Sequence, residues 1–159
     1  MIRIRRITTS DPLYPQERAL REEVLLGPIG FDMARFEAEF PGLEQRFEHF
    51  VAVFDHPSGP RVVGCATLLR DPEHPDVARL MQMAVDLQRQ GEGIGRRLVV
   101  AAERRAFGEL GITSLYCHAQ VPAAAFYRRL GWEEDGEVFT EAGIPHKRMV
   151  VSADRPEGA

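Results

Sequence analysis

Apolar and polar residues alternate over Ile2–Ile7 (IRIRRI), a period of two that predicts a half-buried strand. From Tyr14 to Leu26 (YPQERALREEVLL) apolar positions recur at helical spacing among strong helix formers, which predicts a helix ended by Gly27, Pro28 and Gly30. A second short helix, FDMARFEAEF, stops before Pro41 and Gly42, because the residue before proline is pushed out of the helical region. Two strands should follow, His49–Phe54 and Val62–Leu69, joined through the turn-forming HPSGPR.

The loop DPEHPD leads into a mostly apolar run, Val77–Val85 (VARLMQMAV), read as a central strand buried on both faces. Between Gly93 and Leu110, Ile94, Leu98, Ala101, Ala102, Ala106 and Leu110 recur at three and four, with charged residues mostly on other faces. This predicts an amphipathic helix closed by Gly111. Ile112–Ala119 reads as another strand, Pro122 can open a helix that ends at Gly131, and Glu133–Thr140 and Lys147–Ser152 flank the turn EAGIP. The expected architecture is one α/β domain, residues 1–152, with a mixed sheet of about seven strands and flanking helices. Antiparallel hairpins stand at the start and end, helix crossovers in the middle, and residues 153–159 form a frayed polar tail.

Composition narrows the function. A chain of 159 residues with 44% hydrophobic content is long enough for one buried core. A net charge of −4 argues against a nucleic-acid partner held by a general basic field, so an anionic ligand must be met locally. MIRIRRI lacks the apolar core of a signal peptide and no apolar run approaches membrane-spanning length, so no membrane partner is expected. Cys65 and Cys117 each lie in an apolar, strand-like run, which favours reduced core thiols over a disulfide or ligand pair and suits a cytoplasmic setting. Histidines 49, 56, 74, 118 and 146 form no CxxC, HxxxH or HExxH pattern, and no metal is expected.

The chemistry begins at QRQGEGIGRR, residues 88–97, where a glycine turn joins the apolar run to the amphipathic helix. Unpaired amides converge at such a helix start, where the helix dipole is positive, and glycines let the backbone approach an anion. A dinucleotide fingerprint fails because Arg96 stands where the third glycine of GxGxxG is needed, and GxxxxGK[ST] is absent. The alternative is a structural glycine turn beside solvated arginines.

Gln90-Gly91-Glu92-Gly93-Ile94-Gly95 resembles the Q-x-x-G-x-G motif of the GCN5-related N-acetyltransferase (GNAT) family. AAAFYRRLGW, 123–132, is similar to that family's later helix, which carries a tyrosine near the thioester sulfur. HAQVPAAAFYRRLGW followed by FTEAGIPHKRM resembles the ElaA-like or YjcF-like branch, and the likeness is clear from Val77 to Val151. The resemblance implies acetyl-CoA as co-substrate, its pyrophosphate on Gln90, Gly91, Glu92, Gly93, Ile94, Gly95 and Arg96. It also implies that the fourth and fifth strands splay apart around the pantetheine arm, with Met83, Ala84 and Val85 along it, the Val85 amide on the thioester oxygen and Tyr127 as acid to the sulfur. A homodimer is a further implication of the family.

Acetyl transfer to an amine needs a neutral nucleophile, a donor for the oxyanion and a proton for the thiolate. VARLMQMAV offers no carboxylate base, only Gln82, which leaves His118, Glu141 and His146 or a water chain as candidates. Each histidine can equally be a hydrogen-bonding structural residue, and Tyr127 an ordinary packed one. Arg128 and Arg129 reach phosphate or simply solvate their helix, Glu92 should turn its side chain to solvent, and Trp132 should anchor the core. Arg21, Glu22, Glu23 and Arg35 are candidates to read a substrate. The expected activity is acetylation of a small-molecule primary amine. A protein amine as acceptor, or an idle coenzyme A sensor, are the alternatives.

Overall fold

In the computed structural model, which describes residues 1–155, seven strands form one mixed sheet in the order β1-β2-β3-β4-β5-β7-β6. Met1–Leu69 with Gln82–Ala102 form one compact unit, and Arg70–Met81 with the described chain from Glu103 to Arg155 form a second.

In the first unit, β1 (Ile2–Ile7) pairs antiparallel with β2 (Glu48–His56), which pairs antiparallel with β3 (Gly59–Arg70). The turn between β2 and β3 is tighter than HPSGPR suggested, since His56 pairs with Gly59. α1 (Tyr14–Arg21) continues as one wide π turn over Glu22–Leu26 and a 3₁₀ turn over Gly27–Ile29. Gly27 and Pro28 therefore prolong the helical path and Gly30, at φ 78°, ends it. The wide turn explains Gly27: its amide bonds to the Glu22 carbonyl, and a Cβ would stand 2.8 Å from that oxygen. α2 (Met33–Glu39) is capped by Asp32, whose carboxylate accepts from the Arg35 amide at 2.7 Å. A short helix that the sequence pattern did not predict, α3 (Leu43–Arg46), follows. Ile7, Leu20, Val51, Val53 and Cys65 share the core of this unit with Ala84.

β4 (Val77–Val85) has the predicted limits, but only one face is closed. Ala78, Leu80 and Ala84 are buried while Val77, Arg79, Met81, Met83 and Val85 remain half-exposed, which corrects the expectation of burial on both faces. An apolar run does not distinguish a doubly covered strand from one whose second face stays accessible. α4 (Ile94–Gly108) starts against β3 at Gly64, where an added Cβ would lie 2.7 Å from Ile94 Cγ2 and 3.1 Å from Leu98 Cδ1. The missing side chain sets how closely the helix start approaches the strand.

In the second unit, β5 (Ser114–Gln120) runs parallel to β4, pairing Val77–Arg79 with Ser114–Tyr116. A 3₁₀ turn begun by Pro122 leads into α5 (Ala124–Arg129). β6 (Glu133–Glu141) and β7 (Ile144–Ser152) form a hairpin, and β7 also lies antiparallel to β5. The loop in EAGIP shrinks to Ala142–Gly143, both at positive φ (52° and 75°), the two-residue geometry that matches strand twist. Trp132 is the expected anchor, 2% exposed, its Nε1 donating to Glu103 Oε1 at 2.7 Å. Arg155 grips the same carboxylate at 2.7 and 3.0 Å, so the tail is tied down through Arg155 rather than frayed. Residues 156–159 of the predicted tail lie outside the described residues.

Candidate active site

After β4, Asp86 caps a 3₁₀ turn over Leu87–Arg89 by accepting from the Gln88 amide at 2.9 Å, and its own amide bonds to the Val63 carbonyl. The chain then passes through Gly91 and Gly93 at φ 84° and 82°, a left-handed backbone that disfavours any side chain even though the space around both is open. The first amide to close back into the helix is that of Arg97, on the Gly93 carbonyl at 3.2 Å. The amides of Ile94, Gly95 and Arg96 consequently start α4 without an intrahelical acceptor. Gln90 reaches back toward the Val85 carbonyl at 3.5 Å. Glu92 is exposed and turns to Arg89, which also stacks on Phe54 with its guanidinium carbon 4.2 Å from the ring centre. Arg89 is thus engaged, whereas Arg96 and Arg97 are exposed and, among the described residues, make no ion pair. The turn can hold an anion through backbone amides with two arginines beside it.

Behind β4 lies a cluster that sequence reading missed. Glu17, Arg21, Glu44 and His49 are 0, 0, 3 and 1% exposed. Arg21 grips Glu44 through both terminal nitrogens, at 2.6 and 2.8 Å, and reaches Glu17 at 3.1 Å. The Tyr14 hydroxyl donates to Glu44 at 2.6 Å. His49 presents Nδ1 to Glu17 Oε2 at 2.7 Å and Nε2 to the Glu44 backbone carbonyl at 2.8 Å. A carbonyl only accepts, so Nε2 carries a proton, and the Nδ1–carboxylate contact holds another between the two groups. Burial alone would lower His49, but the hydrogen bond and charge of Glu17 outweigh it and raise its pKa. Burial would likewise raise Glu44, and the Arg21 contacts hold it below the usual carboxylate range. Ligand atoms of Glu17, Glu44 and His49 lie within 4.8 Å of one another, and the cation set among them is the Arg21 guanidinium.

The fourth hydrogen bond of that guanidinium reaches β4: Arg21 Nε donates to Gln82 Oε1 at 3.2 Å. Gln82 has φ 50°, a left-handed residue inside a strand. Of the proposed substrate readers, Arg21 is thus enclosed, Glu22 accepts from the Met33 amide, Arg35 stacks on Phe31 and Glu23 is exposed; the four do not converge.

The second unit brings together the three candidate bases. The hairpin turn carries Glu141 to His118 on β5, Oε1 to Nδ1 at 3.0 Å, and His146 Nε2 lies 3.7 Å from Glu141 Oε2. Arg79 stands 3.0 Å from the same His118 Nδ1 and 3.6 Å from Glu141. Those contacts compete, because Nδ1 bonds the carboxylate only as N–H and the guanidinium only through its lone pair. Burial would raise Glu141, but the His118 hydrogen bond and the charges of His118, Arg79 and His146 hold it low. His146 is committed through Nδ1 to the Ile144 carbonyl at 2.7 Å, with a side chain 9% exposed against 23% for His118. His118 Nε2 has no hydrogen-bond partner among the described residues, and with Nδ1–H on Glu141 it offers a free lone pair.

Tyr127 on α5 is 6% exposed and packs on Trp132, ring centres 5.2 Å apart. Burial first, then the neighbouring Cys117 thiol, push the pKa of its hydroxyl well above the ordinary phenol value. Cys117 itself is pushed up to about 12, mainly by burial. Cys65 and Cys117 are both free and buried, as expected. Arg128 pairs with Glu134.

A family model described as "Acetyltransferase (GNAT) domain" matches residues 31–153. The chain belongs to the GNAT acetyltransferase family. This GNAT chain is 28% identical over 152 residues to the uncharacterised protein YyaT of Bacillus subtilis (strain 168), covering 96% of this chain and 97% of that one. Among solved structures, Escherichia coli ElaA aligns with TM-score 0.75 at 19% identity, over 94% of this chain and 99% of its own. An aminoglycoside 6′-N-acetyltransferase complexed with coenzyme A aligns with TM-score 0.76 at 17% identity, over 98% and 99%. These likenesses bear out the GNAT-like mixed sheet with flanking helices, and the family is one of acyltransferases. Among the described residues no helix is long and apolar enough to cross a membrane.

Proposed function

We propose that this GNAT protein moves the acetyl group of acetyl-CoA to the primary amine of a small molecule. The observation that carries the reading is the turn from Gln90 to Arg96, whose two left-handed glycines open a helix start with unpaired amides. A fold neighbour solved with coenzyme A adds support. In this reading Gln90, Gly91, Glu92, Gly93, Ile94, Gly95 and Arg96 take the pyrophosphate, Met83 and Ala84 offer backbone groups to the pantetheine arm, and the Val85 amide bonds the thioester oxygen.

The amine nitrogen attacks the thioester carbon, the tetrahedral oxyanion collapses, and the carbon–sulfur bond breaks. His118 Nε2 takes the proton released by the amine, with Glu141 fixing the Nδ1–H tautomer and His146 standing behind Glu141. Tyr127 meets the leaving sulfur. Held well above the thiol reference of about 8.5, it stays protonated at neutral pH and acts mainly by hydrogen-bonding the thiolate. The proposal includes a cytoplasmic setting and a homodimer, the latter tested by light scattering of the purified protein.

The decisive assay is release of free thiol from acetyl-CoA across a panel of primary amines, paired with thermal unfolding. Acetyl-CoA at one hundred times its dissociation constant adds about 2.7 kcal/mol and raises the midpoint by roughly 5–11 °C. Thiol release with a small amine is the expected result. Release only with peptide amines transfers the acceptor to proteins, a midpoint shift without turnover favours a coenzyme A sensor, and no shift overturns the reading.

A further inference from the structure

We infer that Arg21 is a positioning residue whose buried guanidinium holds Gln82 in the left-handed conformation that sets the path of β4 into Met83, Ala84 and Val85. The inference rests on the acetyl-transfer reading for its consequence, but the hold itself stands on geometry. Gln82 is one of two non-glycine residues at positive φ among those described, and the other, Ala142, sits in a hairpin turn where that geometry is ordinary. Inside a strand a side chain at φ 50° is unfavourable and persists only where its surroundings impose it.

Two contacts impose it here. Arg21 Nε–H donates to the Gln82 side-chain oxygen at 3.2 Å, and the Cys65 thiol donates to the Gln82 backbone carbonyl at 3.6 Å. Side chain and main chain are tied in different directions. Arg21 has little freedom to follow if Gln82 relaxes, because its terminal nitrogens are locked on Glu44 and Glu17, themselves bound to Tyr14 and His49. Phe36 and Phe47 flank the guanidinium, 5.4 and 5.9 Å from its carbon.

The cluster is poorly explained by stability. Buried ion pairs are often replaceable by apolar residues without loss, and Glu17 Oε1 is buried with no partner among the described residues. What an apolar cluster could not supply is a directed N–H at the Nε edge. Through Gln82 that edge governs where the next peptide groups of β4 point, the ones assigned above to the pantetheine arm and the thioester oxygen.

The test compares Gln82→Ala with Gln82→Gly, two variants that both lose the side-chain oxygen and differ by one methyl group. Glycine occupies positive φ without steric cost. The expected result is a fall in kcat of about tenfold or more for Gln82→Ala with the KM for acetyl-CoA little changed, and near wild-type kcat for Gln82→Gly. The three-bond HN–Hα coupling of residue 82 should report a left-handed backbone in wild type and an extended one in Gln82→Ala. Arg21→Lys, which keeps the charge beside Glu44 but lacks the Nε edge, should reproduce Gln82→Ala and be rescued by adding Gln82→Gly. Equal losses in both Gln82 variants, or a left-handed residue 82 surviving in Gln82→Ala and Arg21→Lys, overturn the inference. If wild type turns over no acetyl-CoA, the acetyl-transfer reading fails on its own, and the coupling constants still decide the hold.

Discussion

The Glu141 carboxylate meets the His118 imidazole at 3.0 Å, one at the lip of a two-residue hairpin turn and the other on β5. With Nδ1–H on the carboxylate, Nε2 keeps the lone pair. His118→Gln should lower kcat by about 10²–10⁴-fold, in the range for loss of a general base, and Glu141→Ala by about tenfold or more through loss of the tautomer. His146→Gln, whose Nδ1 is already spent on a backbone carbonyl, should change kcat less than about threefold. Steady-state kinetics at saturating acetyl-CoA check the ranking, and an inert His118→Gln removes the base assignment.

Gly91→Ala and Gly93→Ala should each cost about 1–2 kcal/mol, because a Cβ disfavours their left-handed backbone. The midpoint should fall by roughly 2–8 °C. Neither position is crowded, so the loss is conformational, and Asn should be tolerated better than Val at Gly93. Calorimetric titration with acetyl-CoA should show weaker binding in step with the loss of the turn.

Arg21→Met strands two buried carboxylates and should cost about 3–5 kcal/mol, read by urea unfolding. In wild type the cluster also shapes the pH dependence of stability. Glu44 is held low, so its contribution is present above its unfolded pKa near 4.5 and is lost as pH falls through the lower folded value. His49 is held high, so its contribution is complete below its unfolded pKa near 6.5 and is lost as pH rises through the higher folded value. His49→Gln should flatten the alkaline side of the stability profile, and an unchanged alkaline limb counts against a protonated His49.

Tyr127→Phe removes one buried hydroxyl while keeping the packing on Trp132, and should change stability by about 1 kcal/mol or less. Under the acetyl-transfer reading kcat should fall about tenfold with the KM for acetyl-CoA nearly unchanged, since only the leaving-group contact is lost. Full retention of kcat would assign Tyr127 to packing alone.

Local signals carried most of the fold. β4 has the limits Val77–Val85 read from its apolar run, and α4 follows the three-and-four recurrence from Ile94. The wide turn at Glu22–Leu26 has no such signature, and α3 is only four residues long, too short for a period to show. Of the candidate site, residue types were legible and proximity was not. His118 and Glu141 stood out singly, while their contact depends on the hairpin register. Arg21 stood out only as one of four candidate substrate readers and Glu17 not at all, although both are buried and stand four apart between Tyr14 and Val24. Their partners lie far along the chain, 32 residues from Glu17 to His49 and 61 from Arg21 to Gln82.

Gly64 gives the fold an unusual vulnerability to well-meant engineering. Glycine-to-alanine replacements within strands normally raise melting temperature by restricting the unfolded chain. At this position the new methyl would push on Ile94 and Leu98, at the root of the glycine turn. Directed evolution for heat resistance should therefore pass Gly64 by, because the methyl that restricts the unfolded chain also overpacks the seat of the helix start.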